Sequence, residues 1–270
     1  MSSDPRPTSD TTPTLTLSRR GYTAILTLSR SPANALNHTL LTELQKQLAQ
    51  LCADAEVRAL VLTGEGRFFS AGLDLHEVFD YPPALAQAFT RTFDDVFTLL
   101  FSLELPVVAA INGHAIAGGA VLAATADFRL MSDGDAKLGL SEIKVGVPFP
   151  TSALEPVRFA WAGPHLAELL YRGSSYGPRH ALSYRLIDEV VPAAELLERA
   201  LALAAELGSR PKVAFASTKR ALRREALCRM AAARAGGDDP LWTLWRTEEV
   251  LAAMATYRAG VGNKRPPATR

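Results

Sequence analysis

The sequence predicts an α/β fold with a helical C-terminal region. Three observations carry this: strand-like and helix-like runs alternate up to about residue 130; strand signals fade after about Pro150; and the stretch 211–259 is almost wholly helical in pattern. Such alternation is the mark of strands joined by helices in one layered core.

The elements follow in order. Residues 15–17 and 22–28 alternate apolar and polar side chains around Arg20-Gly21, which predicts a β-hairpin. Asn37 is placed to cap a helix over 38–54, with Leu40, Leu41, Leu44, Leu48 and Leu51 on one stripe. Residues 59–63 (ALVLT) read as a buried strand, and 68–75 (FFSAGLDL) as an apolar loop. Pro82-Pro83 breaks the chain before a helix over 84–103, and 107–111 forms a second buried strand. Gly113 and Gly118-Gly119 open a turn into a small-residue helix over 120–126, and 128–131 is a third strand. Four or five helices follow, punctuated by Pro178, Pro192 and Pro211. No repeat of fixed period is evident. The domain reading is a disordered tail over 1–13, a core over 14–205 and a helical region over 206–270.

Composition bounds the function. The chain has 270 residues, 48% hydrophobic and 21% charged, with a net charge of +1. That length supports one large domain. A charge this small gives no global field for nucleic acid or an anionic membrane. The basic run 219–234 reads as a solvated helix face. The apolar run 106–126 is interrupted by Asn112, His114, three glycines and Thr125, so no bilayer span is expected. Cys52 and Cys228 show no CxxC spacing, and the five histidines lack metal-ligand spacing, so neither a disulfide framework nor a metal site is expected. A cytoplasmic location fits these features.

Three segments carry chemistry. In Ala117-Gly118-Gly119-Ala120 a glycine pair precedes a helix, whose first N–H groups and positive dipole end suit an oxyanion. The loop Phe68-Phe69-Ser70-Ala71-Gly72-Leu73-Asp74-Leu75 offers a second backbone N–H, read at Ala71. Glu142 sits in an otherwise apolar run, 138–148, where a raised pKa suits a general base. Each alone has an ordinary explanation: tight packing, a buried turn, a surface glutamate. His76 and His114 read as structural. Asp94, Asp95 and Glu104 read as a solvated face, with entry of one into the pocket left open.

In this order the three segments, with Ala110-Ile111-Asn112-Gly113-His114-Ala115-Ile116 and Ala126-Asp127-Phe128-Arg129, resemble the crotonase (enoyl-CoA hydratase/isomerase) superfamily over about 15–192. The resemblance implies a ββα spiral core, a C-terminal trimerisation region and a homotrimer or hexamer. It implies a thioester carbonyl held by the N–H groups of Ala71 and Gly118, and CoA contacts at Ser70, Ala71, Asp74 and Leu75. It implies Val121 and Phe149 in the acyl pocket, and no cofactor apart from CoA within the substrate. Arg30 and Lys264 are candidates for the CoA phosphates. An acyl-carrier-protein thioester is an alternative substrate.

Hydratases of the family carry two glutamates, one three residues after the oxyanion glycine. Here that position is Val121, and only the second, Glu142, is present. The expectation is therefore a Δ3,Δ2-enoyl-CoA isomerase with Glu142 as proton shuttle. Alternatives are a hydratase, a crotonase-fold decarboxylase (though Phe149 stands where some decarboxylases have tyrosine) and a non-catalytic acyl-CoA-binding or RNA-binding protein.

Overall fold

The computed structural model describes residues 13–236 and 240–262. The expected tail and Lys264 lie outside these, Pro13 excepted. Among the described residues the strands form two sheets. The larger contains β1 (Leu15–Arg20), β2 (Thr23–Leu28), β3 (Ala59–Gly64), β5 (Val107–Ile111), β7 (Phe128–Ser132) and β10 (Glu189–Val191), side by side in that order. The hairpin β1–β2 is antiparallel and every later pairing is parallel. The smaller sheet runs β4 (Phe68–Ser70), β6 (His114–Ile116), β8 (Leu138–Gly139), β9 (Ser175–Tyr176).

The two sheets share one building rule. β3, β5 and β7 of the large sheet each turn directly into β4, β6 and β8 of the small one. Each pair then leads into helix: α2 (Leu75–Val78) and α3 (Pro83–Ser102), α4 (Gly118–Thr125), and a 3₁₀ turn (Glu142–Val145) before α5 (Thr151–Ala160). A ββα unit is thus repeated three times. Its starts at Ala59, Val107 and Phe128 are unevenly spaced, which is why no fixed period shows in the sequence.

Both faces of the large sheet are covered at its centre, so β3 and β5 are continuously apolar rather than alternating, whereas the edge strand β1 is mostly exposed. On one face lie α1 (His38–Ala53) and α3, the first capped by the Asn37 side chain on Leu40 N. Leu40, Leu44 and Leu48 of α1 and Phe89, Phe93 and Phe97 of α3 join the main core with Leu26, Leu60, Leu62 and Ile111. The other face packs Ile25, Val61, Val108 and Leu130 against Leu196, Ala200 and Ala204 of α8 (Leu196–Gly208). Between α5 and α8 lie α6 (Leu166–Arg172) and α7 (Pro178–Ser183).

Two expectations change. Strand structure does not end at Pro150: β10 extends the large sheet beside β7. Three residues are too few for a periodic signal, and only the neighbouring strand makes them β. The basic run on α9 (Lys212–Ala235) is not simply solvated. Lys219 and Arg223 are buried and both pair with Asp127, at 2.7 Å each. Arg223 also donates to the Phe101 and Thr125 carbonyls, satisfying helix ends that would otherwise be orphaned. Burial pushes Lys219 down to about 8 against the pull of Asp127. Arg220, by contrast, pairs with Glu104 in solvent.

After α9 the chain continues through α10 (Pro240–Leu244) and α11 (Glu248–Gly262). Trp242, Trp245, Val250 and Met254 join the main core. Ala253 Cβ of α11 lies 3.1 Å from where a Cβ on Gly146 would stand, so α11 closes over the 3₁₀ turn of its own chain. No helix among the described residues is long and apolar enough to cross a membrane.

Candidate active site

The small sheet gathers the three chemical segments. Leu73 follows β4, Gly118 follows β6 and Glu142 follows β8, three parallel neighbours. Their C-terminal ends face one cavity of about 330 Å³.

The first segment is fixed from beneath. Ser70 is fully buried; its Oγ donates to Asn34 O (2.8 Å) and accepts from Gly72 N (3.2 Å). Ser70 is therefore a brace for the loop and does not line the cavity, contrary to its expected contact with CoA. Ala71 lines the cavity, but its N–H donates to Ala33 O at 3.0 Å. That N–H is committed, and the oxyanion role expected at Ala71 has to be corrected.

The N–H left free in this loop is that of Leu73. Leu73 is bridged in parallel to Leu36: Leu36 N donates to Gly72 O (2.7 Å) and Asp74 N to Leu36 O (3.0 Å). In such a bridge the N–H and C=O of the intervening residue point to the other side. The Leu73 N–H therefore turns away from Leu36 and has no acceptor among the described residues.

The second donor is Gly118, the first residue of α4, whose N–H has no partner within the helix. Ala117 before it has φ 51° and ψ −127°, a conformation that costs a non-glycine residue on the order of 1–3 kcal/mol. Two bonds hold it: Ala117 N to Gly139 O (2.9 Å) and Val121 N to Ala117 O (3.0 Å). Glycine is required next to these segments. A Cβ on Gly119 would lie 2.1 Å from Ser70 O, and one on Gly72 would lie 2.8 Å from Gly118 N.

Glu142 opens the 3₁₀ turn and is 9% exposed. Its Oε2 is buried without a hydrogen-bond partner. Burial pushes its pKa up to about 8, opposed in part by its own N–H and that of Ser141. Val121, Phe149, Asp74 and Leu75 also line the cavity, as expected of them or of their segments. Asp74 is not a free carboxylate there: it caps α2 and pairs with Arg30 at 2.8 Å. Arg30 meets Glu77 as well (3.0 Å), so its charge is already spent on carboxylates.

The other acidic candidates lie elsewhere. Asp94 bonds Ser152 and Trp242, Asp95 pairs with Arg234, and Glu104 with Arg220. His76 lines the cavity. His114 does not: its Nδ1 accepts from Lys137 N, and its ring lies 5.0 Å from Phe68. Among the described residues no three His, Cys, Asp or Glu side chains gather as a metal would require.

Sequence reasoning missed Leu73, Trp245 and Tyr257, which share the cavity wall with Phe93, a residue of the segment 77–98 from which the sequence leads one to expect the shape of the acyl pocket. Leu73 had a signal, since it occupies the loop two residues after Ala71. Trp245 and Tyr257 had none, because they come from the far end of the chain, more than a hundred residues after Glu142.

Known proteins share this fold. The sequence profile of the enoyl-CoA hydratase/isomerase family matches residues 20–258. The short-chain-enoyl-CoA hydratase of Clostridium acetobutylicum is 29% identical over 243 residues, 89% of this chain and 93% of that protein. The mitochondrial enoyl-CoA delta isomerase 1 of Rattus norvegicus is 32% identical over 204 residues, 74% of this chain and 70% of that protein. The crystal structure of human mitochondrial delta3-delta2-enoyl-CoA isomerase superposes with a TM-score of 0.89 at 25% identity, covering 94% of this chain and all 100% of that one. With the profile spanning nearly the whole chain and the spiral of ββα units in place, the chain belongs to the enoyl-CoA hydratase/isomerase family.

Proposed function

We propose that the protein is a Δ3,Δ2-enoyl-CoA isomerase. One observation carries the choice over hydration. Glu142 is the one carboxylate on the described wall without a counter-ion, and Val121, 1% exposed, fills the place from which a second would hold water.

The thioester oxygen accepts from the N–H groups of Leu73 and Gly118. The Glu142 carboxylate removes a C2 proton from the 3-enoyl chain. The C–H electrons form a C1–C2 double bond, and the carbonyl electrons move onto the held oxygen. When the carbonyl re-forms, the electrons return through C2 and C3, and C4 takes the proton from Glu142. The double bond has then moved from C3–C4 to C2–C3, with no atom gained or lost. A carboxyl near 8 is a stronger base than an ordinary glutamate, which favours the first step. Apolar Val121 and Phe149 keep water from the intermediate.

CoA enters as part of the substrate, and no further cofactor is needed for this proton transfer. A homotrimer or hexamer is the assembly this reading carries with it. The test is purified protein given a 3-enoyl-CoA and, separately, a 2-enoyl-CoA. Migration of the double bond in the first without rapid hydration of the second is the expected result. Rapid hydration of the second would assign a hydratase.

A further inference from the structure

The active-site cavity is divided by chemistry. Its polar residues Arg30, Ser31, Asp74 and His76 come from the segments beside Leu73, and Ser141 and Glu142 from the turn after β8. Its aromatic residues Phe93, Phe149, Trp245 and Tyr257 come from α3, the segment before α5, the turn between α10 and α11, and α11. An alkyl chain leaving the reacting carbons gains by turning toward the aromatic side.

Trp245 also lines a second cavity, again of about 330 Å³. That cavity is walled by Phe79, Phe89, Trp242 and Leu251, and Trp245 is the residue common to both. The indole is 7% exposed and held on three sides. Its Nε1 donates to Pro148 O at 3.2 Å, Phe79 stacks on it at 5.8 Å and 9°, and the Trp242 ring lies 4.5 Å away.

We propose that Trp245 is the partition that sets acyl-chain length: it ends the acyl pocket, and the apolar cavity behind it is the space a longer chain occupies once the indole is removed. This rests on the acyl-CoA reading above. The occupant is the substrate's own alkyl tail, because the cavity shares a wall with the active site and its lining, Thr90 and Arg246 apart, is aromatic and aliphatic.

The test measures binding of saturated acyl-CoAs of increasing length by calorimetry, which requires no turnover. Each methylene buried is worth about 0.8 kcal/mol, or roughly fourfold in affinity. In the natural protein this increment stops at the length that reaches Trp245. In Trp245→Ala it continues over several further methylenes. Trp245→Leu, which keeps more of the packing, serves if the alanine variant does not fold, with the same shift expected over fewer methylenes. In the Trp245→Ala background, Ala86→Trp fills the second cavity from α3 and removes the gain. An unchanged length profile in the folded Trp245 variants overturns the proposal, as does a gain that survives Ala86→Trp. Failure of the isomerase reading shows separately, as bound acyl-CoA of every length with no double-bond migration that depends on Glu142.

Discussion

The N–H of Leu73 and the N–H of Gly118 belong to different ββα units, yet Leu73 N lies only 3.8 Å from where a Cβ on Gly118 would stand. The gap between them is kept open by Gly72, whose φ of +82° and missing Cβ let the two loops touch. Two free donors thus line the cavity that also holds the buried carboxylate of Glu142, on the turn after the neighbouring strand β8, and the proposed enolate depends on that pairing.

Gly72→Ala tests that gap. Its Cβ would fall 2.8 Å from Gly118 N and 2.9 Å from both Ala117 Cβ and Ile116 O, all of them rigidly held. Loss of one donor typically costs about 10²–10³-fold in kcat. The expected result is a fall of that size or larger, together with a lower Tm. Gly21→Ala is the control: its φ is also positive, at +56°, but nothing lies within 4 Å. It should cost about 1 kcal/mol of stability and leave kcat/KM as it was.

Glu142→Gln keeps the shape and removes the base. Turnover should fall by about 10²–10⁴-fold, while calorimetry still detects CoA-ester binding. In the natural protein, kcat/KM for isomerisation should rise with pH and level off above about 8, where the carboxyl has lost its proton. A variant that keeps most of its turnover would remove Glu142 from the mechanism.

The same carboxyl makes stability depend on pH. In the unfolded chain Glu142 loses its proton near the ordinary glutamate value, about 4.3, whereas in the fold it holds it to about 8. Between those values the folded state binds the extra proton. The Glu142 contribution to stability therefore falls as pH rises through this window, by up to about 1.4 kcal/mol per unit, and is flat outside it. Urea unfolding at several pH values should show the natural protein losing stability relative to Glu142→Gln across the window. Parallel curves would mean the side chain is better solvated than its surroundings indicate.

Asp127 is the counter-charge for two buried cations, Lys219 and Arg223. Removing one partner of a buried ion pair costs about 3–5 kcal/mol, so Asp127→Ala should lower urea-unfolding stability by at least that range. Arg220→Ala breaks a pair with Glu104 that lies in solvent, and exposed pairs are worth about 0–1 kcal/mol. Equal effects from the two would show that the buried network is not what anchors α9.

The sequence by itself determined the α/β class and most of the strands and helices of the first 132 residues to within a few positions, and it singled out the carboxylate that lines the cavity without a counter-ion. It could do so because those features are local. A stripe of leucines on α1, an apolar run in β3 and a glycine pair before α4 need no distant partner to be recognised. Glu142 stood out because it interrupts an apolar run. Tertiary structure alone decided which backbone N–H is free. Ala71 and Leu73 sit two residues apart in one loop, and only the acceptors on Ala33 and Leu36, brought in from before α1, commit the first and turn the second outward. It likewise buried Lys219 and Arg223, whose spacing reads as solvent-facing until Asp127 is placed beneath them. And it carried Trp245, more than a hundred residues from Glu142, onto the wall of the same cavity. Each of these depends on contacts between segments far apart in the chain, which periodicity and spacing do not encode.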